Sequence, residues 1–560
     1  MKTNRFSFLM LAAVAMLTLF SASCGNKQGD SAFGVTNVLK RIPADAVGIA
    51  VVNVGQLMNK LDYEDFKKSE IFKSMISEAK DDMAKQILEN PESSGIATNG
   101  QFCMYLDVKG QKDFTFGILL PVKNVKDLEA VFEKSAKSKE DSPFKKIEDA
   151  KEFKFIERKE DDMNIGIGWD KKMVVIVVSS KAGAKDVLAN VFDSKRKESI
   201  LTNKNFKADK AEGHDVMLWV QSDPIVKMLK DDESMSTMIK QISFLGLTEK
   251  SLDGNTVAMY YDFKKGEMES GISYKMNPDI EKEYGIIFKK KIETDFSAYF
   301  PKKHLNALTM MGLDMKGVQK VLKNRSLDGM ADSYLSSMGL TLEEIAKGFK
   351  GEVAFASYAD PAATDALKAQ KMVVAISFDK AELFEKLMTA SKELGAGEIK
   401  KSGNRYMSAA SKDVQAIFKN NVFIVSNDLS ILDKIEAGGY KGDEAVEKQY
   451  YADMSKGWMS GHVDYGQLLS SLEDMPIGTM GIPAMSNVFK MLSKYNELVA
   501  TTGVISTEDA KVMITLKNKD DNSLKVLSKL VNKLYLDRDN IKNEMEKAEE
   551  EEDDKDRKTM

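Results

Sequence analysis

The chain is 560 residues long and carries 81 basic and 86 acidic side chains, for a formal net charge of −5, with only three histidines and two cysteines. That length leaves room for more than one domain. A body this close to neutral lacks the basic footprint that nucleic-acid phosphates require, and two cysteines are too few for a disulfide framework.

In chain order, a short basic segment holding Lys2 and Arg5 precedes an uncharged run at 6–20 that ends in Ser21, Ala22 and Ser23. This is the layout of a secretory signal peptide. The run is also shorter than the ~20 apolar residues that a transmembrane helix needs. The box Ser21-Ala22-Ser23-Cys24 resembles the signals of bacterial lipoproteins, with Ser21 where leucine is usual. The resemblance implies cleavage before Cys24 and lipidation of that cysteine, several acyl chains being what stable anchoring takes. Gly25, rather than aspartate, follows the cysteine, which by the same resemblance implies the outer membrane; a periplasmic or a surface-exposed body both stay open. Residues 1–23 are therefore expected to be a signal peptide and 24–36 a polar, glycine-bearing lipidated tether.

The body reads as two copies of one unit, 37–295 and 296–536. Ile42-Pro43-Ala44-Asp45-Ala46 leads into an apolar strand at 47–54, and Phe300-Pro301 leads into another at 305–313. The helix stripe Leu128, Val131, Phe132 is matched by Leu383, Phe384, Leu387, each on one face at three- and four-residue spacing. Two hairpins follow, one turning at Asp170-Lys171-Lys172 and one at Lys419-Asn420-Asn421, where Asn tolerates positive φ. Val216 to Val220 is matched with Trp458 to His462, and Ser270 to Lys275 with Val512 to Lys517. Short turns between strand pairs favour antiparallel pairing. Each unit is accordingly expected to be α+β, a mainly antiparallel sheet with helices packed on one face and the other face left for solvent, the sister unit or a ligand.

A last helix is expected from about Ser523, with Leu524, Val526, Leu527, Leu530, Val531 and Leu534 as its apolar residues. Residues 537–560 lose that periodicity and form a charged tail; its stretch 544–560 holds nine acids and four bases. Taken together, the lipoprotein signal, the tether, the Ile-Pro-x-Asp-Ala start and the doubled α+β body resemble uncharacterised bacterial envelope lipoproteins grouped as a domain of unknown function. That resemblance carries no catalytic residues with it.

Catalytic signals are weak throughout. His214, His304 and His462 are far apart and in no HExxH-like spacing, and Cys103 alone cannot build a thiolate metal site. Gly29-Asp30-Ser31 lies in the tether rather than after a strand, and no Gly-x-Ser-x-Gly elbow occurs. Ser77-Glu78-Ala79-Lys80 fits Ser-x-x-Lys but reads as a surface helix in a lysine-rich chain. Cys103 reads as a small buried hydrophobe, and Trp169, Trp219 and Trp458 as half-buried strand residues. No catalytic residue, cofactor or metal is expected.

The binding candidate is a stretch too rich in proline and glycine for regular helix, yet apolar: Met475, Pro476, Ile477, Met480, Ile482, Pro483 and Met485. Such a loop either tucks against its own core or meets a partner. The reading is a non-enzymatic envelope lipoprotein with a binding or structural role, whose partners are the membrane through its anchor and an envelope protein. A carrier or sensor holding an apolar ligand between the units is the alternative, and an envelope or glycan hydrolase a more distant one.

Overall fold

Segments rich in β-branched and aromatic residues become strands where turn residues bound them. The computed structural model describes residues 35–79, 82–110, 113–137, 147–206, 213–230, 253–359, 370–390, 399–408, 411–446, 448–468, 495–543 and 546. Cys24 and the 475–485 stretch lie outside the described residues, as do the expected signal peptide at 1–23 and most of the charged tail. The chain divides into two compact units. The first takes the described residues up to Met276 together with Asn518–Leu536, and the second takes Asn277–Lys517 and the start of the tail.

Among the described residues the strands of the first unit are β1 (Gly48–Asn53), β2 (Gln101–Gly110), β3 (Asp113–Pro121), β4 (Glu148–Asp149), β5 (Lys154–Glu160), β6 (Met163–Trp169), β7 (Met173–Ser179), β8 (Val216–Gln221), β9 (Thr256–Lys264) and β10 (Glu267–Lys275), ten in all. They pair antiparallel in the order β4-β5-β6-β7-β3-β2-β1-β8-β9-β10. Side chains alternate across the sheet. One side therefore carries Ile49, Val51, Cys103, Tyr105, Leu119, Val175, Val177, Met217 and Trp219, sealed by Val38 and Leu39 of helix Val35–Leu39 and by Leu188, Val191 and Phe192 of helix Ala184–Phe192. On the other side, Val52, Phe102, Ile118, Leu120 and Val174 meet Val54, Met58 and Leu61 of helix Val54–Leu61, with Phe72 and Leu128.

The second unit also has ten strands: β11 (Leu305–Gly312), β12 (Phe349–Ala359), β13 (Gln370–Phe378), β14 (Ile399–Ser402), β15 (Arg405–Ser408), β16 (Ser411–Lys419), β17 (Val422–Ser426), β18 (Met459–Asp464), β19 (Leu498–Ile505) and β20 (Asp509–Leu516). Their order, β14-β15-β16-β17-β13-β12-β11-β18-β19-β20, repeats that of the first unit strand for strand. Leu308, Met310, Ala354, Ala356, Val373 and Ile424 pack under Ile431, Leu432 and Ile435 of helix Leu429–Glu436. Leu383 and Phe384 of helix Ala381–Ala390 join Phe378, Phe418 and Phe423 on the opposite side, where the Phe384 and Phe418 rings stack at 4.1 Å.

The expected α+β class and antiparallel sheet hold. The helices, expected on one face, cover part of both. The strand β5, Lys-Phe-Ile-Glu-Arg-Lys-Glu, has no counterpart in the sequence reading, because a strand facing water on much of its length is too charged to stand out. The match of Val216 to Val220 with Trp458 to His462 is one residue out: Val216 pairs with Val52, away from the Trp219 side, whereas Ser460 and His462 pair with Met310 and Leu308 on the helix-sealed side. Trp458 also precedes β18 rather than lying in it.

The last helix, Ser523–Leu536, starts where expected but belongs to the first unit, not to the end of the second. Conversely Pro278–Tyr284, which follows the first unit's last strand, belongs to the second unit. Each helix lands beside the first long helix of its unit. Lys525 pairs with Asp62, the C-cap of Val54–Leu61, at 2.7 Å; Glu283 pairs with Arg325, the C-cap of Met315–Asn324.

Candidate functional site

The first unit's sheet has a face that its helices only partly cover. Pairing register sets out two rows of side chains on it. One runs Val178, Phe116, Leu106, Gly48, Val220, Val257 and Tyr274; the next runs Ile176, Ile118, Met104, Ala50, Leu218, Met259 and Ile272. Tyr261 stands opposite Val216 beside them. Leu106, Leu218, Val257, Tyr261 and Ile272 are each between 36% and 40% exposed, while Met217 and Trp219, pointing the other way from the same strand, are buried. An apolar surface spread over neighbouring strands is what a contact face requires.

In the second unit the equivalent side holds Val374, Phe355, Thr309, Gly461, Gly503 and Val512 in one row, flanked by Ile376, Val353, Met311, Met459 and Ile505. Met311 and Phe355 are 37% exposed and Met372 is 45% exposed. Two opposed glycines and a threonine make the middle of this face lower and more polar than its counterpart.

The polar chemistry lies elsewhere. In the first unit the buried Asp215 carboxylate accepts from Lys60 Nζ at 2.5 and 2.7 Å and from the Phe263 amide at 2.7 Å. Next to it, His214 Nδ1 is 2.8 Å from Asp262, and the imidazole stacks on Tyr260 with centroids 4.0 Å apart. Tyr260 in turn lies over Gly271, where a Cβ would come within 2.1 Å of the ring and force it to shift. Among the described residues the contacts of His214 are the Asp262 carboxylate and the Tyr260 ring, which together orient the imidazole.

In the second unit Glu352 is fully buried and accepts from the amides of Glu293 at 2.8 Å and Thr294 at 2.9 Å, from the Thr294 hydroxyl, and from Lys289 Nζ at 3.1 Å. Burial alone would push this carboxyl up, but the Thr294 and Glu293 hydrogen bonds and the Lys289 ammonium outweigh it and hold it below the ordinary glutamate range. His462 is lodged on the helix-sealed side with Nδ1 2.9 Å from Thr502 Oγ1, and desolvation takes its pKa down to about 3. It is a neutral packing residue at any physiological pH. His304 occupies a turn at φ 60°.

The remaining sequence candidates fall as follows. Cys103 is fully buried, and desolvation pushes its thiol far above the usual range, so it packs rather than reacts. Ser77 donates to the carbonyl of Ser74 on a surface helix, and Lys80 is outside the described residues. Trp169 and Trp219 are buried; Trp169 donates from Nε1 to Glu129, and Trp458 packs on Phe288 at 4.4 Å. A cleft of about 640 Å³ opens over Trp169, but Arg41, Lys126 and Lys172 alternate around it with Asp149, Glu152 and Asp170, so it has no dominant charge. Among the described residues no group of three or more His, Cys, Asp or Glu side chains is placed to hold a metal ion, and no helix is long and apolar enough to cross a membrane.

The model of the family described as Domain of unknown function (DUF4836) matches residues 36–524. The chain belongs to this family. The DUF4836 match runs through both sheets to the first residues of the last helix. No curated protein matches the chain. Solved structures of TP0453, in crystal forms III and I, are similar at 10% identity with TM-scores of 0.24, covering 46% of this chain and 89% and 88% of theirs.

The open-face residues were not singled out in the sequence, although a signal for them exists. Val216-Met217-Leu218-Trp219-Val220 is apolar without alternation, and an antiparallel strand with one wet polar face would alternate. An unbroken run in such a sheet marks a second face that is itself apolar.

Proposed function

We propose that this member of the DUF4836 family is an outer-membrane envelope lipoprotein, cut before Cys24 and anchored by acyl chains on that cysteine, with a non-enzymatic body made of two duplicated units. The body binds a protein partner, and the open sheet face of the first unit is the contact surface. One observation carries this reading: the two apolar rows across β7, β3, β2, β1, β8, β9 and β10, with five large side chains left more than a third exposed. A broad sheet face suits a protein surface better than a small ligand, which needs an enclosing cavity. The repeated strand order supports the duplication, and the unlike open faces support a division of labour between the copies. The sequence stretch holding Met475, Pro476, Ile477, Met480, Ile482, Pro483 and Met485, which lies outside the described residues, is a second candidate for contact with such a partner.

The test places a photo-crosslinking residue at Leu218 in the native lipidated protein, with Lys171 as a control position. The expected result is a discrete protein adduct at Leu218, identified by mass spectrometry and lost on Ile272→Asp. An acyl-lipid adduct in its place would favour the carrier reading, and equal labelling at both positions would overturn the contact face. Separately, Cys24→Ala is expected to remove the acyl label and membrane retention while leaving the body folded; persistent acylation would refute the anchor.

A further inference from the structure

We infer that helix Ser523–Leu536 is a detachable strap, which closes the helical layer of the first unit with the last-made part of the body and opens independently of the sheets. The chain path is the first ground. The first unit is built from residues up to Met276, yet this helix arrives only after all of Asn277–Lys517 has been laid into the second unit. The nature of its attachment is the second. Of its 14 residues only Ser523 and Val526 are buried, while Val531 and Leu536 are about half exposed. Leu524 packs against the core that holds Val54, Met58 and Leu61, and discrete polar contacts supply the rest of the grip. Lys525 reaches Asp62 at 2.7 Å, Asn532 Oδ1 accepts from the Ile71 amide at 3.0 Å, the Tyr535 hydroxyl donates to Ser74 at 2.6 Å, and Asn522 ahead of the helix donates to the Phe263 carbonyl at 2.9 Å.

The third ground is the space beneath. A hollow of about 230 Å³ lies against the helix, walled by Leu61, Phe66 and Ser69 on one side and Lys525, Ser528 and Asn532 on the other. The core on the sealed face of the same sheet has Ile49, Leu119 and Val175 at 0–1% exposure. Helices held by few buried apolar contacts and exposed polar bonds open at lower cost than packed sheets. Release of the strap would uncover Leu61 and Phe66 and free the end of helix Val54–Leu61, leaving the strands paired.

Native-state hydrogen exchange on the full-length protein, read by mass spectrometry over a denaturant series, tests this. The peptides covering 523–536 and 54–72 are expected to lose protection together, at a denaturant concentration where β1, β2 and β3 remain protected. Exchange of 523–536 only with global unfolding, or in step with β19 and β20 that precede it in the chain, would overturn the strap. Lys525→Glu, a change at a part-buried helix position outside both sheets, is expected to speed exchange in both peptides several-fold, and Asp62→Lys added to it is expected to restore protection. Failure of the double variant to restore it would refute the Asp62–Lys525 latch.

Discussion

The two units share one strand order and differ in what hangs on it. On the first unit's open side the central row is Ile118, Met104, Ala50, Leu218, Met259 and Ile272; on the second it is Val374, Phe355, Thr309, Gly461, Gly503 and Val512. Their fully buried acids also sit in different places, Asp215 just ahead of β8 in one and Glu352 within β12 in the other. The lesson is that sheet topology is held by the alternating buried face, which is mainly apolar in both units, whereas the polar anchors and open faces are free to diverge. Replacements aimed at one kind of feature should therefore separate from replacements aimed at the other.

The largest separation is expected at Glu352. Alanine there strands two backbone amides, a hydroxyl and the Lys289 ammonium, and breaking a buried charged cluster from one side costs about 3–5 kcal/mol. Urea denaturation followed by exchange of β12 and β13 peptides should place the whole loss in the second unit. A loss shared equally with β1 and β2 would mean that the units unfold as one body.

Trp219 and Leu218 give the same contrast within a single strand. Trp219 packs edge-on against Phe206 at 5.3 Å on the sealed side, so Trp219→Ala is expected to cost about 3–5 kcal/mol. Leu218→Asp, on the open side, is expected to change stability by less than about 1 kcal/mol. Its effect should appear instead as loss of the partner adduct. If Leu218→Asp destabilised the fold as much as Trp219→Ala, the open face would be core and the contact reading would fail.

His462 offers a smaller effect with a defined sign. Its folded pKa of about 3 lies below the ordinary 6.5, so the unfolded chain binds the extra proton in the window between them. The second unit should lose stability as pH falls from 6.5 toward 3, by at most about 1.4 kcal/mol per pH unit from this one group. Glu352 works lower down: its depressed pKa gives stability that is present above 4.5 and lost as pH falls through the folded value. Denaturation between pH 4.5 and 6.5 therefore isolates the histidine, and His462→Gln should flatten the slope there. An unchanged slope would show that the imidazole is solvated.

Much of this architecture was readable from the sequence, and the reasons are particular. Helix stripes such as Leu128–Val131–Phe132 are legible because one face is buried and the other charged, so the period survives. The hairpin turning at Asp170-Lys171-Lys172 is legible because polar turn residues stand between two strand-forming runs. The ownership of helix Ser523–Leu536 was not legible, since periodicity identifies a helix and its apolar face but not the sheet that receives it. Glu352 was missed for a related reason: one acid among 86 carries no mark of burial until the Glu293 and Thr294 amides are seen to converge on it. Leu106, Leu218 and Ile272 were hidden because an apolar strand residue reads as core whichever way it points.

The hairpin turns sharpen the comparison at its finest scale. Between β16 and β17, Asn420 and Asn421 both take positive φ, 52° and 60°, the conformation that two-residue hairpins favour because its twist matches the strands. Between β6 and β7 the longer Asp170-Lys171-Lys172 turn avoids positive φ, and Asp170 Oδ1 instead accepts from the amides of Lys172 at 2.7 Å and Met173 at 2.8 Å. The two hairpins thus hold the same register by different means, backbone conformation in one and a side-chain acceptor in the other. Asn421→Val should cost the second unit about 1–2 kcal/mol, the penalty of a side chain in the left-handed region, while Asn421→Gly should be neutral or stabilising. In the first unit Lys171→Val should be silent and Asp170→Ala should cost about 1 kcal/mol by removing the acceptor. Urea midpoints of the four variants test the pairing, and a Lys171→Val penalty equal to that of Asn421→Val would show that both turns depend on the same conformation.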